Sequence, residues 1–505
     1  MNQESRRKDV IEAWGDFVST SLESLLEEHR EISDESAVLS LFRDVVAHVP
    51  AYQAFLAERG IDAAAIQTLE DFGTLPAIAK DNYISRYPLT DLCRHGNLSG
   101  CDMIAASSGS TGKPTFWPRF FTDELQIAAR FEQIFHDSFA ADTRRTLAVI
   151  CFTLGTWVGG MFTTNCCRYL ASKGYLITVI TPGNNKEDIL RVVQELGGNF
   201  EQVVLLGYPP FLKDVIDTGI ARGVEWQRYQ IKLVMAGEVF SEEWRSLVGE
   251  RVGSQNPCYD SASLYGTADA GVLGNETPLS ICIRRFFAQN PEAAKALFGE
   301  SRLPTLVQYD PVSRFFEIQD GQLLFSGNNG VPLIRYNILD TGGIISYDAM
   351  LQFLTNWGFN PLETLASTTP NPPRGINQLP FVYVFGRSNF TVSYFGANIY
   401  PENISVGLEQ PVIQAWVTGK FVLQVKEDAD KNRFLSVVVE LAPGVEDSED
   451  KRQAIAASIL TQLLRLNGEF ANYVPPEYQT PQIALAPMGD REYFPIGVKH
   501  RYTRQ

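Results

Sequence analysis

From Leu147 onward, short apolar runs alternate with amphipathic stretches. LAVICFT, YLITVIT, QVVLLGY and IKLVMAG are separated by segments such as Lys186–Leu196, whose apolar residues recur at helical spacing. Strands that return to a parallel neighbour through a helix are covered on both faces, and so read as near-continuous apolar runs. The rhythm therefore predicts a layered α/β domain with at least one largely parallel sheet. Ahead of it, Leu22, Leu25 and Leu26, then Val38, Leu39, Leu41 and Phe42, recur at helical spacing and predict helical packing elements over roughly the first 45 residues. The texture changes near Gly386, where a turn-like GRSN opens a new unit. Strands are predicted over residues 421–425 and 434–441, around a charged KEDADKN turn, with a helix over residues 450–466. The predicted fold class is α/β: a large multi-sheet layered N-terminal domain over residues 1–387 and a small hinged α+β C-terminal domain over residues 388–505.

Composition narrows the partners. A chain of 505 residues with 45% apolar and 20% charged residues has the makeup of a globular protein with several cores. A formal charge of −16 disfavours an electrostatic grip on nucleic acid or an anionic membrane, so small molecules are the expected partners. The polar opening MNQESRRKDVIEAWGDF lacks the apolar stretch of a secretory signal, and a cytoplasmic location is expected. Residues 147–164 carry no charge, but four threonines and three glycines dilute the run, which reads as a buried strand followed by a Gly-rich loop. Seven cysteines without a CxxC pair, and only five histidines, argue against structural zinc and for reduced, mostly buried thiols.

One segment carries chemistry on its face. SSGSTGKPT, residues 107–115, can turn the backbone N–H groups and hydroxyls of Ser108, Gly109, Ser110, Thr111 and Gly112 toward a phosphate chain, with Lys113 adding positive charge. It is not a Walker loop, which requires Gly at 107 and Ser or Thr directly after the lysine; Ser107 and Pro114 stand there. Alone, the segment reads equally as a flexible surface turn.

SSGSTGKPT also resembles the phosphate loop of the adenylate-forming (ANL) superfamily, which includes acyl-CoA ligases, peptide-synthetase adenylation domains and luciferases. Further pieces follow in that family's order: AGEVFSEEWR at 236–245, SLYGTAD at 263–269, IRYNILDTG at 334–342, GRSNFTVSYFGANIYPENI at 386–404 and GVKHR at 497–501. Within the superfamily the likeness is closest to phenylacetate-CoA ligases, through residues 49–88 (VPAYQAFLAERGIDAAAIQTLEDFGTLPAIAKDNYISRYP) and through AGEVF.

The resemblance implies roles position by position. Gly237, Glu238 and Val239 would line an adenine pocket with Ser263, Leu264 and Tyr265, followed by Gly266 and Thr267, although Tyr265 alone reads equally as a half-buried core aromatic. Asp340 matches the aspartate that holds the ribose hydroxyls, and Arg387 the arginine that helps fix the nucleotide. Asp269 matches a glutamate that helps coordinate Mg²⁺. It is one methylene shorter, and Ala268 replaces the usual Ser or Thr, which leaves a structural or water-mediated role open for it. Lys499 matches the C-terminal catalytic lysine, with one extra residue between it and Gly497; Lys113 is the second catalytic candidate. Asn389 stands at the family's hinge position. Trp157, Gly159, Gly160, Tyr208 and Ala236 are candidates for the acid pocket, and the same residues fit a core equally well.

The implied cofactors are ATP and Mg²⁺, with CoA as co-substrate. The implied reaction is activation of a carboxylic acid, of aromatic or cyclic type by leaning, as an acyl-adenylate that is then transferred to CoA. An amide-forming ligase that uses an amino acid or amine, and a catalytically silent nucleotide-binding relative, remain as alternatives. A homodimer is left open.

Overall fold

The computed structural model describes residues 3–107, 115–299, 303–368, 373–387, 391–442, 444–494 and 502–503; within these, the side chains of residues 3–6, 387 and 402 are not described. The chain divides into two compact units. One comprises Met1–Ala106, Phe116–Gly207 and Val215–Ser388, and the other Ser107–Thr115, Tyr208–Asp214 and Asn389–Gln505.

A two-stranded sheet, β1 (Met103–Ser107) and β2 (Thr115–Arg119), flanks the SSGSTGKPT segment in sequence. The large unit is built on an 11-stranded sheet. Its parallel half contains β3 (Thr146–Ile150), β4 (Ile177–Ile180), β5 (Gln202–Gly207), β6 (Ile231–Ala236) and β7 (Ser261–Thr267), in the order β4-β3-β5-β6-β7. All residues of β3 and β5 are buried, as strands covered on both faces require. Helices Val158–Lys173, Lys186–Leu196, Pro209–Ala221 and Glu242–Val252 connect these strands, which is the rhythm read from the sequence.

Antiparallel pairing takes over at β8 (Gly271–Asn275) and continues through β9 (Thr305–Gln308), β10 (Arg314–Gln319), β11 (Gln322–Gly327), β12 (Leu333–Ile345) and β13 (Phe381–Arg387), in the order β7-β8-β9-β13-β12-β11-β10. Between the neighbouring strands β12 and β13 run two helices, Tyr347–Asn356 and Pro361–Thr368. Met350, Leu354 and Leu365 from these helices share a core with Leu279, Ile283 and Phe287 of helix Pro278–Gln289. The N-terminal helices Gln3–Ser19, Leu22–Glu31 and Asp34–His48 agree with the sequence reading; Val38, Phe42 and Val45 pack into the same core as Phe316, Phe325 and Tyr336.

The uncharged run at 147–164 departs from expectation in its second half. The segment after β3 is helical from Val158, not a loop throughout. Two glycines in a first helical turn carry a propensity cost, but packing overrides it: a Cβ on Gly160 would lie 2.4 Å from the Thr153 carbonyl oxygen, so only glycine lets this helix start so close to the strand exit.

The second unit holds a hairpin of β14 (Val392–Tyr394) and β15 (Ala397–Ile399), and a three-stranded sheet of β16 (Val417–Glu427), β17 (Arg433–Leu441) and β18 (Gln482–Ala486). β16 and β17 are antiparallel, and β18 is parallel to β17. Helix Glu449–Leu466 supplies the crossover. Among the described residues no helix is long and apolar enough to cross a membrane, and all seven cysteines are free thiols.

A part-buried hydrogen bond between His29 and Asp310 ties the N-terminal helices to the sheet unit. His29 Nδ1 lies 2.8 Å from Asp310 Oδ2, and Arg130 Nη2 lies 3.8 Å from the same oxygen. Burial alone would raise the Asp310 carboxyl, but the His29 hydrogen bond and the Arg130 charge overcome it and hold the group at about 2, against an ordinary 3.8. A depressed carboxylate contributes stability above its unfolded pKa and loses it as pH falls through the folded one. The contribution is on the order of 2 to 3 kcal/mol near neutral pH, falling by about half at pH 3. Urea unfolding of wild type and Asp310→Asn should show a gap of that size at pH 6, narrowing at pH 3.

Candidate active site

The motifs converge on the β6–β7 strand ends and on β12. Ala236 closes β6 and pairs with Leu264 of β7, while Met235 pairs with Ser263, so AGE and SLY lie side by side at the carboxyl ends of parallel strands, where open α/β sheets bind ligands. Gly237 turns the chain with φ +83°, which leaves Glu238 buried and Val239 exposed. Gly266 has its own structural reason: a Cβ there would lie 2.4 Å from the Gly271 carbonyl oxygen of β8.

Two tyrosine–aspartate pairs join β7 to β12. Tyr265 donates to Asp340 Oδ2 at 2.7 Å, and Tyr336 donates to Asp269 Oδ2 at 2.6 Å. Both segments read Tyr-x-x-x-Asp, YGTAD and YNILD, and each tyrosine binds the other segment's aspartate. Both carboxylates are buried, and the Tyr265 ring stacks on Phe316 at 6.5 Å between centroids. Asp340 follows Leu339, whose φ of +68° is costly for a branched side chain and marks an irregularity in β12. Across the sheet, the Asp340 backbone is in register with Arg387 at the end of β13.

Asp269 sits in the turn between β7 and β8, where Thr267 Oγ1 accepts from the Ala270 N–H at 3.2 Å. Its Oδ1 lies 3.5 Å from Lys80 Nζ, and that ammonium is also 5.8 Å from the centroid of the Trp117 ring. Magnesium needs carboxylate oxygens free to coordinate at close to 2 Å. Here Tyr336 occupies one oxygen and an ammonium faces the other; among the described residues no cluster of three or more His, Cys, Asp or Glu side chains could hold a metal. These residues do not fit a magnesium seat in this geometry. Asp269 accepts from Tyr336 and pairs with the Lys80 ammonium.

Of the acid-pocket candidates, Trp157 precedes helix Val158–Lys173 and bridges to Ala106 of β1, with Gly159 and Gly160 in the first helical turn. Tyr208 groups with the second unit, where its ring stacks on Tyr473 at 5.3 Å. Ser108, Gly109, Ser110, Thr111, Gly112, Lys113, Asn389 and Lys499 lie outside the described residues. Sequence reasoning passed over Lys80 and Tyr336 as site residues, although LPAIAKDNY and IRYNILDTG were both on view.

No protein-family model and no curated protein matches the chain. Solved structures do. The fold is that of the adenylate-forming ANL enzymes, a large layered α/β unit followed by a small α+β one. One such structure is 2-hydroxyisobutyryl-CoA ligase in complex with 2-HIB-AMP and CoA in the thioesterification state; it is 14% identical, with a TM-score of 0.64 over 93% of this chain and 89% of that one. The same ligase in its postadenylation state with 2-HIB-AMP gives 14% identity and a TM-score of 0.51 over 93% and 87%. The amide bond synthetase McbA from Marinactinospora thermotolerans is also similar, at 14% identity and a TM-score of 0.47 over 88% and 74%.

Proposed function

We propose that this chain is an AMP-forming carboxylate ligase: it joins a carboxylic acid to the α-phosphate of ATP, releases pyrophosphate, and passes the acyl group of the adenylate to CoA. The observation that carries this reading is the convergence of separate motifs near the carboxyl ends of β6 and β7, with Ala236–Glu238 beside Ser263–Tyr265 and Tyr265 bonded to Asp340. Supporting it, a structure of the same fold holds an acyl-AMP together with CoA. Within this reading the β6–β7 strand ends take the adenine, Asp340 accepts from the ribose hydroxyls, and the segment from Ser108 to Lys113 takes the phosphates. Val49 to Pro88 and AGEVF resemble the phenylacetate-CoA ligases, so aromatic acids head the substrates to test.

The deciding experiment is acid-dependent pyrophosphate exchange across a library of aromatic, cyclic and short hydroxy acids, followed by AMP release with CoA and with a panel of amino acids. Exchange with no acid in the library would leave the silent nucleotide-binding reading standing. Release that depends on an amino acid and not on CoA would make the chain an amide-forming ligase. For the ribose contact, Asp340→Ala should weaken ATP binding by about 1.5 to 3 kcal/mol, the scale of lost charge-assisted hydrogen bonds. Calorimetry checks this, and unchanged affinity in a folded variant removes the assignment.

A further inference from the structure

The turn that carries Asp269 is gripped from the protein interior by two arginines that no motif marks. Arg119, the last residue of β2, is 3% exposed and donates from Nη2 to the Ala268 carbonyl at 2.5 Å. Arg314, the first residue of β10, is 2% exposed and donates from Nη2 to the Ala270 carbonyl at 3.3 Å. Those two carbonyls flank Asp269, so the backbone on either side of the carboxylate is held by a guanidinium.

Burying a guanidinium costs several kcal/mol unless acceptors compensate. Arg314 is well supplied: it also donates to the Ser313 carbonyl at 2.6 Å, to Asn329 Oδ1 at 2.9 Å and to the Asn328 carbonyl at 3.3 Å. Arg119 is not. Among the described residues its hydrogen-bond acceptor is the Ala268 carbonyl, its Nε has no partner, and Glu124, Asp269 and Asp123 act on it only through space. Burial first, and then the Arg119 charge, press the Arg314 guanidinium down to about 10, so the two cations sense each other across the turn. The local sequence explains why such support matters. Ala268 has no hydroxyl with which to brace the turn, and an aspartate has one methylene fewer than a glutamate with which to absorb a backbone displacement.

We propose that Arg119 and Arg314 are positioning residues, which fix the Ala268 and Ala270 carbonyls so that the Asp269 carboxylate is presented to Tyr336 and Lys80 in a single geometry. The kinetic consequence rests on the adenylation reading; the structural one does not.

The test uses the full chain with Arg119→Met and Arg314→Met, and with Arg119→Lys and Arg314→Lys as conservative partners. Backbone hydrogen exchange is followed in a peptide covering residues 267–273. In the Met variants this peptide should exchange roughly tenfold faster, the scale of one hydrogen bond to a charged donor, while peptides of the remaining β strands keep their protection. In pyrophosphate exchange, kcat should fall about tenfold with the KM for ATP within about twofold, and the Lys variants should recover most of the loss. Unchanged local exchange in a folded Met variant overturns the proposal. So does a loss of kcat and a rise in KM together, with lowered Tm and no rescue by Lys, because that describes a general core defect. If the Met variants do not fold, Arg119→Gln and Arg314→Gln decide by the same peptide, with roughly tenfold faster exchange expected and wild-type protection overturning. If wild type exchanges pyrophosphate with no acid, the adenylation reading fails, and the hydrogen-exchange result still judges the two arginines.

Discussion

Lys499→Ala is expected to lose about two to three decades of acid-dependent pyrophosphate exchange while still transferring the acyl group from chemically made acyl-adenylate to the acceptor. Attack of a carboxylate on the α-phosphorus brings two anions together, and an ammonium directed at both lowers their repulsion most in the transition state, where the partial bond holds them closest. Removing one such preorganised charge typically costs about 3 to 4 kcal/mol, which is the source of the expected decades. Acyl transfer from the finished adenylate has no second anion pressed onto phosphorus, so it should not need this ammonium. Equal slowing of both half-reactions would indicate a general defect. Full retention of exchange would show that the extra residue after Gly497 takes this lysine out of the family's role.

The parallel half of the fold was legible because a strand covered on both faces must be apolar along its whole length, which set off β3, β5 and β6 from the amphipathic helices between them. Lys186–Leu196 coincides with a helix because its apolar residues fall on one face and Asn185 caps it. The start of helix Val158–Lys173 was not legible. What permits it is the absence of a side chain at Gly160 opposite the Thr153 carbonyl, a tertiary contact with no local signature. β18 escaped notice for a related reason: QIALA is short, and its pairing partner β17 lies across a helix in sequence.

The candidate site divides in the same way. Asp340 and Tyr265 were each picked out singly, from separate motifs, and the structure supplies the 2.7 Å bond between them. Lys80 and Tyr336 reach Asp269 from segments far away in the chain, and their side chains carry no spacing signal relative to it. The arginines behind the turn are harder still to foresee. A buried Arg119 bound to a backbone carbonyl looks, in sequence, like any basic residue at a strand end. Sequence displays chemistry that lies in one segment, whereas the positions that hold that chemistry still depend on the fold.

Replacing Gly109 or Gly112 with Val should abolish adenylation while the fold persists. A loop that binds a phosphate chain through successive backbone N–H groups has to bring its main chain within hydrogen-bond distance of the anion, and a Cβ on the concave side occupies the space the phosphate oxygens need. Glycine also reaches positive φ at little cost, whereas a β-branched residue at such an angle is strongly disfavoured, so valine penalises the loop's conformation as well as its access. The lost contacts belong to the nucleotide, so thermal unfolding without ATP should change little, while the stabilisation that wild type gains on adding ATP should disappear. Comparing melting temperatures with and without nucleotide, alongside pyrophosphate exchange, separates the two roles of the segment. Valine variants that adenylate at the wild-type rate and keep the nucleotide-induced stabilisation would make SSGSTGKPT a turn that merely joins β1 to β2.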